Sequence, residues 1–240
     1  MPTRIHSIRI QGFRSLADFR IEPLPDVTVL LGANGAGKSN FLRFFEMMRW
    51  MLVDHRLARW VGINGGADDQ LFNGADVTES INAEVIVRAD LEPQCDDRYE
   101  FELMHAHPDR LVFGREESQR YFRESNVSEV WAFEGGGYTE ANLFYAARSE
   151  RNDELNRSAR TIADAFEKCA VFQYHNTAKL RRKWDVEDRT ALLDNGENLA
   201  SILVKLERQH PRHLERLCTH IRRVLPGFDR FQIEQENGTA

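Results

Sequence analysis

The stretch of sequence that decides the fold is Gly32-Ala33-Asn34-Gly35-Ala36-Gly37-Lys38-Ser39. Its spacing, G-x-x-x-x-G-K-S, is typical of a loop that wraps around the phosphates of a nucleotide. Glycine lets the backbone adopt positive φ, so that successive N–H groups and the start of the following helix point at one anion. Lys38 would then reach the β- and γ-phosphates, and the Ser39 hydroxyl would bind Mg²⁺. We refer to residues 32–39 as the phosphate loop.

The residues on either side of the phosphate loop match this interpretation. Residues 26–31 are continuously apolar after Asp26 and rich in β-branched side chains, which predicts a strand buried on both faces. Apolar residues recur at helical spacing from Phe41 to Leu52 and predict a helix that continues to about Arg59. A dinucleotide-binding fold fits less well, because its G-x-G-x-x-G fingerprint has no use for the Lys-Ser pair.

The composition is that of a globular protein. The 240 residues are 42% hydrophobic and carry a net charge of −6, so contact with DNA would require a local basic patch. No apolar stretch reaches the roughly 20 residues of a membrane span, and we expect no membrane partner. The 3 cysteines lie far apart and form no zinc motif, which indicates reduced thiols in a cytoplasmic protein.

Residues 1–135 are predicted to form a nucleotide-binding lobe with an antiparallel β subdomain. Apolar and polar side chains alternate in residues 5–10 and 19–21, which predicts two short strands ahead of the phosphate loop. Four further segments between residues 81 and 133 alternate in the same way and are separated by turn residues. This pattern predicts an antiparallel meander rather than further βαβ units.

Residues 136–240 are predicted to be mainly helical. Apolar residues share one helical face between Leu155 and Phe166, and again between Leu199 and Leu206. Pro211 is well placed to open a last helix, which Gly227 ends. Short strands are expected at residues 170–174 and 228–233.

Three segments give the chain a family resemblance. They are Ile8-Arg9-Ile10-Gln11-Gly12-Phe13-Arg14-Ser15-Leu16, then residues 27–42 with Asn34 and Asn40 around the phosphate loop, and the run Asp-Asn-Gly-Glu-Asn-Leu-Ala at residues 194–200. The first two closely resemble the N-terminal lobe of the RecF- and SMC-type ABC ATPases, AAA-family proteins of the kind also found in overcoming-lysogenization-defect nucleases and bacterial defence systems. The third is similar to the DGENLA helix start of that family, from which Asn195 is a small departure.

The resemblance implies a fold, ligands and a set of site residues. The fold is α/β, a P-loop NTPase lobe of the ABC ATPase type with an antiparallel β-meander and a helical C-terminal region. The ligands are ATP and Mg²⁺, and Arg14 and Ser15 would lie beside the bound nucleotide. The predicted nucleotide-binding residues are Gly32, Asn34, Gly35, Ala36, Gly37, Lys38, Ser39, Asn40, Arg14 and Ser15, with Ser39 as the Mg²⁺ ligand.

Two elements that ATP hydrolysis requires in this family are not found in the sequence. One is an apolar strand that ends in Asp-Glu, whose carboxylates hold Mg²⁺ through water and polarise the attacking water. The other is a serine-led signature loop that caps the γ-phosphate of the opposite subunit. In the family both follow the DGENLA helices, so we expect them after Ala240 or on a partner, and no catalytic residue is assigned. A homodimer or a hetero-partner would supply these Walker B and signature elements.

Two functions from different classes follow from these observations. In the first, the chain is the ATP-binding half of an ATPase that acts on DNA, in repair or phage defence, through ATP-dependent association of two heads. In the second, it is a truncated or regulatory module that binds ATP without hydrolysing it. A GTPase would need an N-K-x-D motif, and a kinase would need a lid with arginines.

Residues 179–184 form a basic cluster that fits a phosphate backbone, although neighbouring acidic residues favour an ordinary solvated face.

Overall fold

The computed structural model describes residues 3–92, 94–171, 192–193 and 196–232. The chain divides into two compact units, Met1–Cys169 and Ala170–Ala240. The described part of the first unit is a sheet with helices packed on one face, and that of the second unit contains two helices.

The sheet of the first unit has six strands, and every pairing in it is antiparallel. The strands are β1 (Thr3–Phe13), β2 (Leu16–Ile21), β3 (Ser80–Ala89), β4 (Cys95–Ala106), β5 (Arg110–Phe122) and β6 (Val127–Ala132). Their order across the sheet is β2-β1-β3-β4-β5-β6. Because β3 to β6 are neighbours both in the chain and in the sheet, the meander predicted for residues 81–133 is confirmed.

The two faces of the sheet differ in polarity because side chains alternate along each strand. On β3, every second residue from Ile81 to Ala89 is buried, and the residues between them are partly exposed. The outer face carries cross-strand ion pairs, such as Arg98 of β4 with Glu84 of β3. Pairs that remain partly open to water add little stability, so the sheet is held mainly through its buried face.

The helices of the first unit cover the buried face of the sheet. The described helices are α1 (Lys38–Leu52), α2 (Leu57–Ile63), α3 (Leu143–Arg148) and α4 (Glu154–Glu167) in the first unit, and α5 (Leu199–Gln209) and α6 (Pro211–Val224) in the second. Helix α1 packs against α4, where the rings of Phe45 and Phe166 lie 6.3 Å apart, and against β1, where Phe44 meets Phe13 at 5.9 Å. The apolar stripe predicted for α1 is thus confirmed as a core face.

The strand predicted at residues 26–31 is not formed. Val27, Val29 and Leu31 are 81%, 73% and 89% exposed, and no strand among the described residues pairs with this segment. A strand with apolar side chains on both faces is buried only when other elements cover both of its faces. The described sheet ends at β2, so these side chains have no such cover within it.

The long helix predicted to reach Arg59 is also wrong, because it is two helices. Helix α1 ends at Leu52, and His55 has the left-handed φ of 53°. The first N–H groups of α2, those of Leu57 and Ala58, donate to the Glu140 carboxylate at 2.7 and 3.1 Å. A side chain that is distant in sequence therefore caps the new helix, a contact that helical periodicity does not encode.

The short strands predicted near the C-terminus do not appear where the structure describes them. Residues 228–232 form no strand, and the rest of that segment lies outside the described residues. Of the segment 170–174, only residues 170 and 171 are described, and they are not in a strand. The helices predicted from Leu155, Leu199 and Pro211 are confirmed as α4, α5 and α6.

A buried arginine ties the meander to α4. Arg120 of β5 is 1% exposed and donates two hydrogen bonds to Asp97 of β4, at 2.8 and 3.0 Å. It also donates to Glu154 in the first turn of α4 at 2.9 Å and lies 3.0 Å from Glu92. The guanidinium thus connects two strands, one loop and one helix through charge-assisted hydrogen bonds.

A buried carboxylate fixes the start of α3. Glu116 of β5 is 1% exposed and accepts hydrogen bonds from the hydroxyls of Tyr99 and Tyr138, at 2.8 and 2.9 Å. It also accepts the backbone N–H groups of Asn142 and Leu143, each at 2.9 Å. Burial raises the pKa of Glu116, whereas these four donors act to lower it. A side chain of β5 thus binds the first backbone N–H groups of α3 and fixes where that helix begins.

Candidate functional site

The phosphate loop leads directly into the N-terminus of α1. Gly37, the residue before the helix, has φ 91° and ψ −1°, a left-handed conformation that favours glycine. None of the described side chains caps this helix end. The first N–H groups of a helix have no intrahelical acceptor and carry partial positive charge, so they are directed at whatever lies in front of the loop.

The Lys38 ammonium lies over the loop itself. Its Nζ donates to the carbonyl oxygens of Gly32 and Ala33, each at 2.7 Å. A lysine ammonium has three N–H donors, and these two bonds hold the positive charge at the mouth of the loop. Gly32 to Ala36 are all exposed, so an anion can approach the ammonium from solvent.

Ser15 and Asn40 lie together beside the phosphate loop. The Asn40 side-chain amide donates to the Ser15 hydroxyl at 2.7 Å. A Cβ atom at Gly37 would lie 2.9 Å from the same hydroxyl oxygen, closer than real Cβ atoms approach. The turn after β1 is therefore packed directly against the loop, and glycine at position 37 is needed for that approach.

The structure places the Arg14 side chain on a different segment. Its Nε donates to the Gln70 side chain at 2.9 Å, and its Nη2 donates to the Asn64 carbonyl at 3.0 Å. Burial, with a further contribution from Arg43, lowers the pKa of the Arg14 guanidinium. Arg14 thus anchors the turn after β1 to the loop that follows α2.

Gln70 is a site residue that sequence reasoning missed. It is fully buried, accepts from Arg14, and donates to the carbonyls of Asn64 and Gly66, each at 2.9 Å. The sequence shows this segment only as a glycine-rich turn, and a hydrogen bond between residues 14 and 70 leaves no local pattern. Gln70 is nevertheless what fixes Arg14, and through it the strand end next to the phosphate loop.

The remaining predicted site residues face solvent. Asn34, Gly35 and Ala36 are exposed in the loop, and Ser39 is exposed on the first turn of α1. Gly35 has φ 86° and no atom within 4 Å of an added Cβ. The open loop offers backbone amides and one ammonium, which fit the oxygens of a polyphosphate. It also offers one hydroxyl, an oxygen ligand that fits a hard divalent cation.

The two loop glycines give a matched pair of variants. Gly37→Ala and Gly35→Ala both place a Cβ in the left-handed region, which costs about 1–2 kcal/mol. Only Gly37→Ala also displaces the Ser15 hydroxyl and its bond to Asn40. We therefore expect Gly37→Ala to lower the free energy of unfolding by about 1 kcal/mol more than Gly35→Ala, measured by urea titration. Equal values would contradict the close contact.

Several predicted features lie outside the described residues. These are the basic cluster at residues 179–184 and the first two residues of the family-like run 194–200. The rest of that run forms a turn and the start of α5, where Asn198 accepts the Leu193 N–H at 2.8 Å.

In the described ranges, no group of three or more His, Cys, Asp and Glu side chains is arranged to hold a metal. None of the helices described there combines the length and apolar character that a bilayer crossing needs.

Comparison with known proteins agrees with this geometry. A model of the AAA ATPase domain family matches residues 4–209. The chain is 29% identical over 177 residues to the DNA replication and repair protein RecF of Anaeromyxobacter sp. (strain Fw109-5). That alignment covers 68% of this chain and 47% of the relative, so the chain spans about half the length of that protein. The chain therefore belongs to the AAA ATPase domain family and has its P-loop nucleotide-binding fold.

Proposed function

We propose that the chain binds MgATP at the phosphate loop and is the ATP-binding half of a RecF-like ATPase that acts on DNA, in repair or phage defence. The observation that carries the proposal is the uncapped N-terminus of α1, preceded by left-handed Gly37 and overlaid by the Lys38 ammonium. Such an end binds phosphate through backbone N–H groups. The RecF relative supports the DNA role.

Different residues of the loop would bind different parts of MgATP. The amides of the loop and of the first turn of α1 would hold the β-phosphate, because they are the donors that the helix leaves without acceptors. Lys38 would exchange its two loop carbonyls for phosphate oxygens. Exposed Ser39 would offer its hydroxyl to Mg²⁺, which neutralises charge between the β- and γ-phosphates when bound.

The exposed loop also supports association of two heads. Residues 32–36 and Ser39 are accessible from solvent, so a second protein surface can close over a bound nucleotide. The partner, a second copy of this chain or another protein, would supply the signature loop and the Asp-Glu strand. The alternative is a module that binds ATP without hydrolysing it. ATP turnover by the purified chain would argue against that alternative.

Titration with a fluorescent ATP analogue, with and without Mg²⁺, tests the binding site. We expect the wild-type chain to bind the analogue and Mg²⁺ to strengthen that binding. Ser39→Ala should remove most of the Mg²⁺ effect, a loss of about tenfold in affinity, because the hydroxyl ligand is gone.

Ser39→Thr is the matched control, since it keeps the hydroxyl and should keep the Mg²⁺ effect. A wild-type chain that binds no nucleotide would refute the proposed function. A Ser39→Ala variant with an unchanged Mg²⁺ effect would refute only the role of Ser39.

A further inference from the structure

Helix α6 and the end of α5 concentrate positive charge in a chain that is acidic as a whole. The chain has a net charge of −6, but residues 205–223 contain six Lys or Arg residues against two Glu residues. Most of these basic side chains are exposed. This segment is therefore a local basic patch, although the net charge of the whole chain is negative.

Three of the arginines form a stripe along one side of α6. At about 100° per residue, Arg212, Arg216 and Arg223 fall within roughly 40° of one another around the helix. All three are exposed, and among the described residues no hydrogen bond or ion pair engages their side chains. His220 lies at the edge of the same side and is also exposed. We call Arg212, Arg216 and Arg223 the arginine stripe.

The opposite side of α6 is the one that packs. Cys218 is 5% exposed, and Leu214 and Ile221 on the same side are partly buried. Helix α6 contacts α5 within the second unit. The arginine stripe therefore lies on a rigid element that is held from its other side, and its side chains point to solvent.

Arg222, on the same helix, differs from the stripe arginines because its side chain is hydrogen-bonded within the second unit. Its Nε and Nη2 donate to the Asp229 carbonyl at 3.1 and 2.8 Å, which closes the turn after α6. The three stripe arginines have no such role within the described part of the second unit. Their charge is available to an external anion.

We propose that the arginine stripe binds the phosphate backbone of double-stranded DNA, a surface that rests on the DNA role proposed above. From Arg212 to Arg223 the stripe rises by eleven residues along the helix, about 16 Å. The three guanidinium groups are spread along this length, so each can meet a different phosphate of the closely spaced duplex backbone. Arginine is also suited to phosphate, because its planar fork donates two parallel hydrogen bonds.

The chemistry of α6 favours a duplex over the other polyanionic partners. Proteins that bind single strands stack bases on aromatic side chains, and Pro211–Val224 contains no Phe, Tyr or Trp. A membrane-bound amphipathic helix places its apolar side in lipid, whereas the apolar side of α6 includes buried Cys218. A rigid row of exposed arginines fits the regular backbone of a duplex.

The test compares two triple variants of the full chain with the same change in charge. One is Arg212→Gln, Arg216→Gln and Arg223→Gln, and the control is Arg20→Gln, Arg59→Gln and Arg110→Gln, three exposed arginines of the first unit. Fluorescence anisotropy with a labelled 30-bp duplex gives the affinity at several salt concentrations. The stripe variant should bind about tenfold or more weakly, and the slope of log K against log salt should fall by about 3. The control should bind as the wild-type chain does.

Each outcome decides between the stripe and the wider DNA role. If the stripe variant matches the control while the wild-type chain binds duplex, the stripe is refuted and the DNA role stands. If the wild-type chain binds MgATP but no duplex, both are refuted. Binding to vesicles that contain phosphatidylserine, without binding to duplex, would refute DNA as the ligand of the stripe and would indicate a membrane surface instead. Circular dichroism of the stripe variant checks that its helix content is retained.

Discussion

Replacing Lys38 by alanine is expected to weaken the binding of MgATP by at least about 30-fold. The ammonium lies 2.7 Å from two carbonyls at the mouth of the phosphate loop, where it is positioned to pair with phosphate oxygens. Truncating one partner of a hydrogen-bonded charge pair costs about 2 kcal/mol or more, because the other charge is left unpaired. Titration with a fluorescent ATP analogue measures the loss directly.

The Lys38→Ala variant should also lose every response that depends on ATP. If two heads associate when ATP binds, sedimentation velocity will show a larger species for the wild-type chain with MgATP and none for the variant. Lys205→Ala, on α5, removes the same charge away from the phosphate loop and serves as the control. Unchanged affinity in Lys38→Ala would mean that the nucleotide is held elsewhere.

Replacing Arg120 by methionine is expected to lower the free energy of unfolding by about 3–5 kcal/mol. Arg120 is 1% exposed and neutralises Asp97, Glu154 and Glu92 at once. Removing a single partner from a buried ion pair leaves uncompensated charge in the interior, which is the costly case. Here Asp97 and Glu92 lose their cation, Glu154 keeps only its ion pair with Arg157, and the link from β5 to α4 is lost. The midpoint of urea unfolding should fall while its slope stays the same.

Arg115→Met is the matched control for this variant. Arg115 lies on the same strand and pairs with Glu100, but its side chain is 50% exposed. Water screens that pair, so its loss should cost within about 1 kcal/mol. Equal destabilisation by the two variants would mean that the Arg120 network contributes no more than an ordinary surface pair.

The sequence predicted the meander because its strands carry a complete local signal. Each of β3 and β4 has one buried and one partly exposed face, so alternation marks the strand and its buried side. In β5 the signal covers only residues 111–113, because the buried side chains that follow are the polar Glu116, Ser118 and Arg120. The phosphate loop was found for a similar reason, because its chemistry depends on residues that are adjacent in the chain. Helices α4 and α5 were found from their apolar faces, and α6 from the proline that opens it.

The features that sequence reasoning missed depend on distant partners. Residues 26–31 have the composition of a buried strand, but whether such a segment is paired depends on elements elsewhere. The break between α1 and α2 depends on Glu140, and the short helix α3 depends on Glu116. The Arg14 side chain is directed by Gln70. For the starts of α2 and α3 and for Arg14, a long-range polar contact decides the local structure, and the local sequence does not reveal it.

The pairing of β1 with β3 has a consequence for how the phosphate loop is assembled. Ile10 lies opposite Ala83, and the chain between them contains the loop, α1 and α2. The hairpins of the meander close short segments, whereas this pairing must bring distant residues together at a greater entropic cost. Ordering of the loop is therefore tied to the least local strand pairing of the sheet. A nucleotide that binds only the ordered loop would contribute its binding free energy to that step.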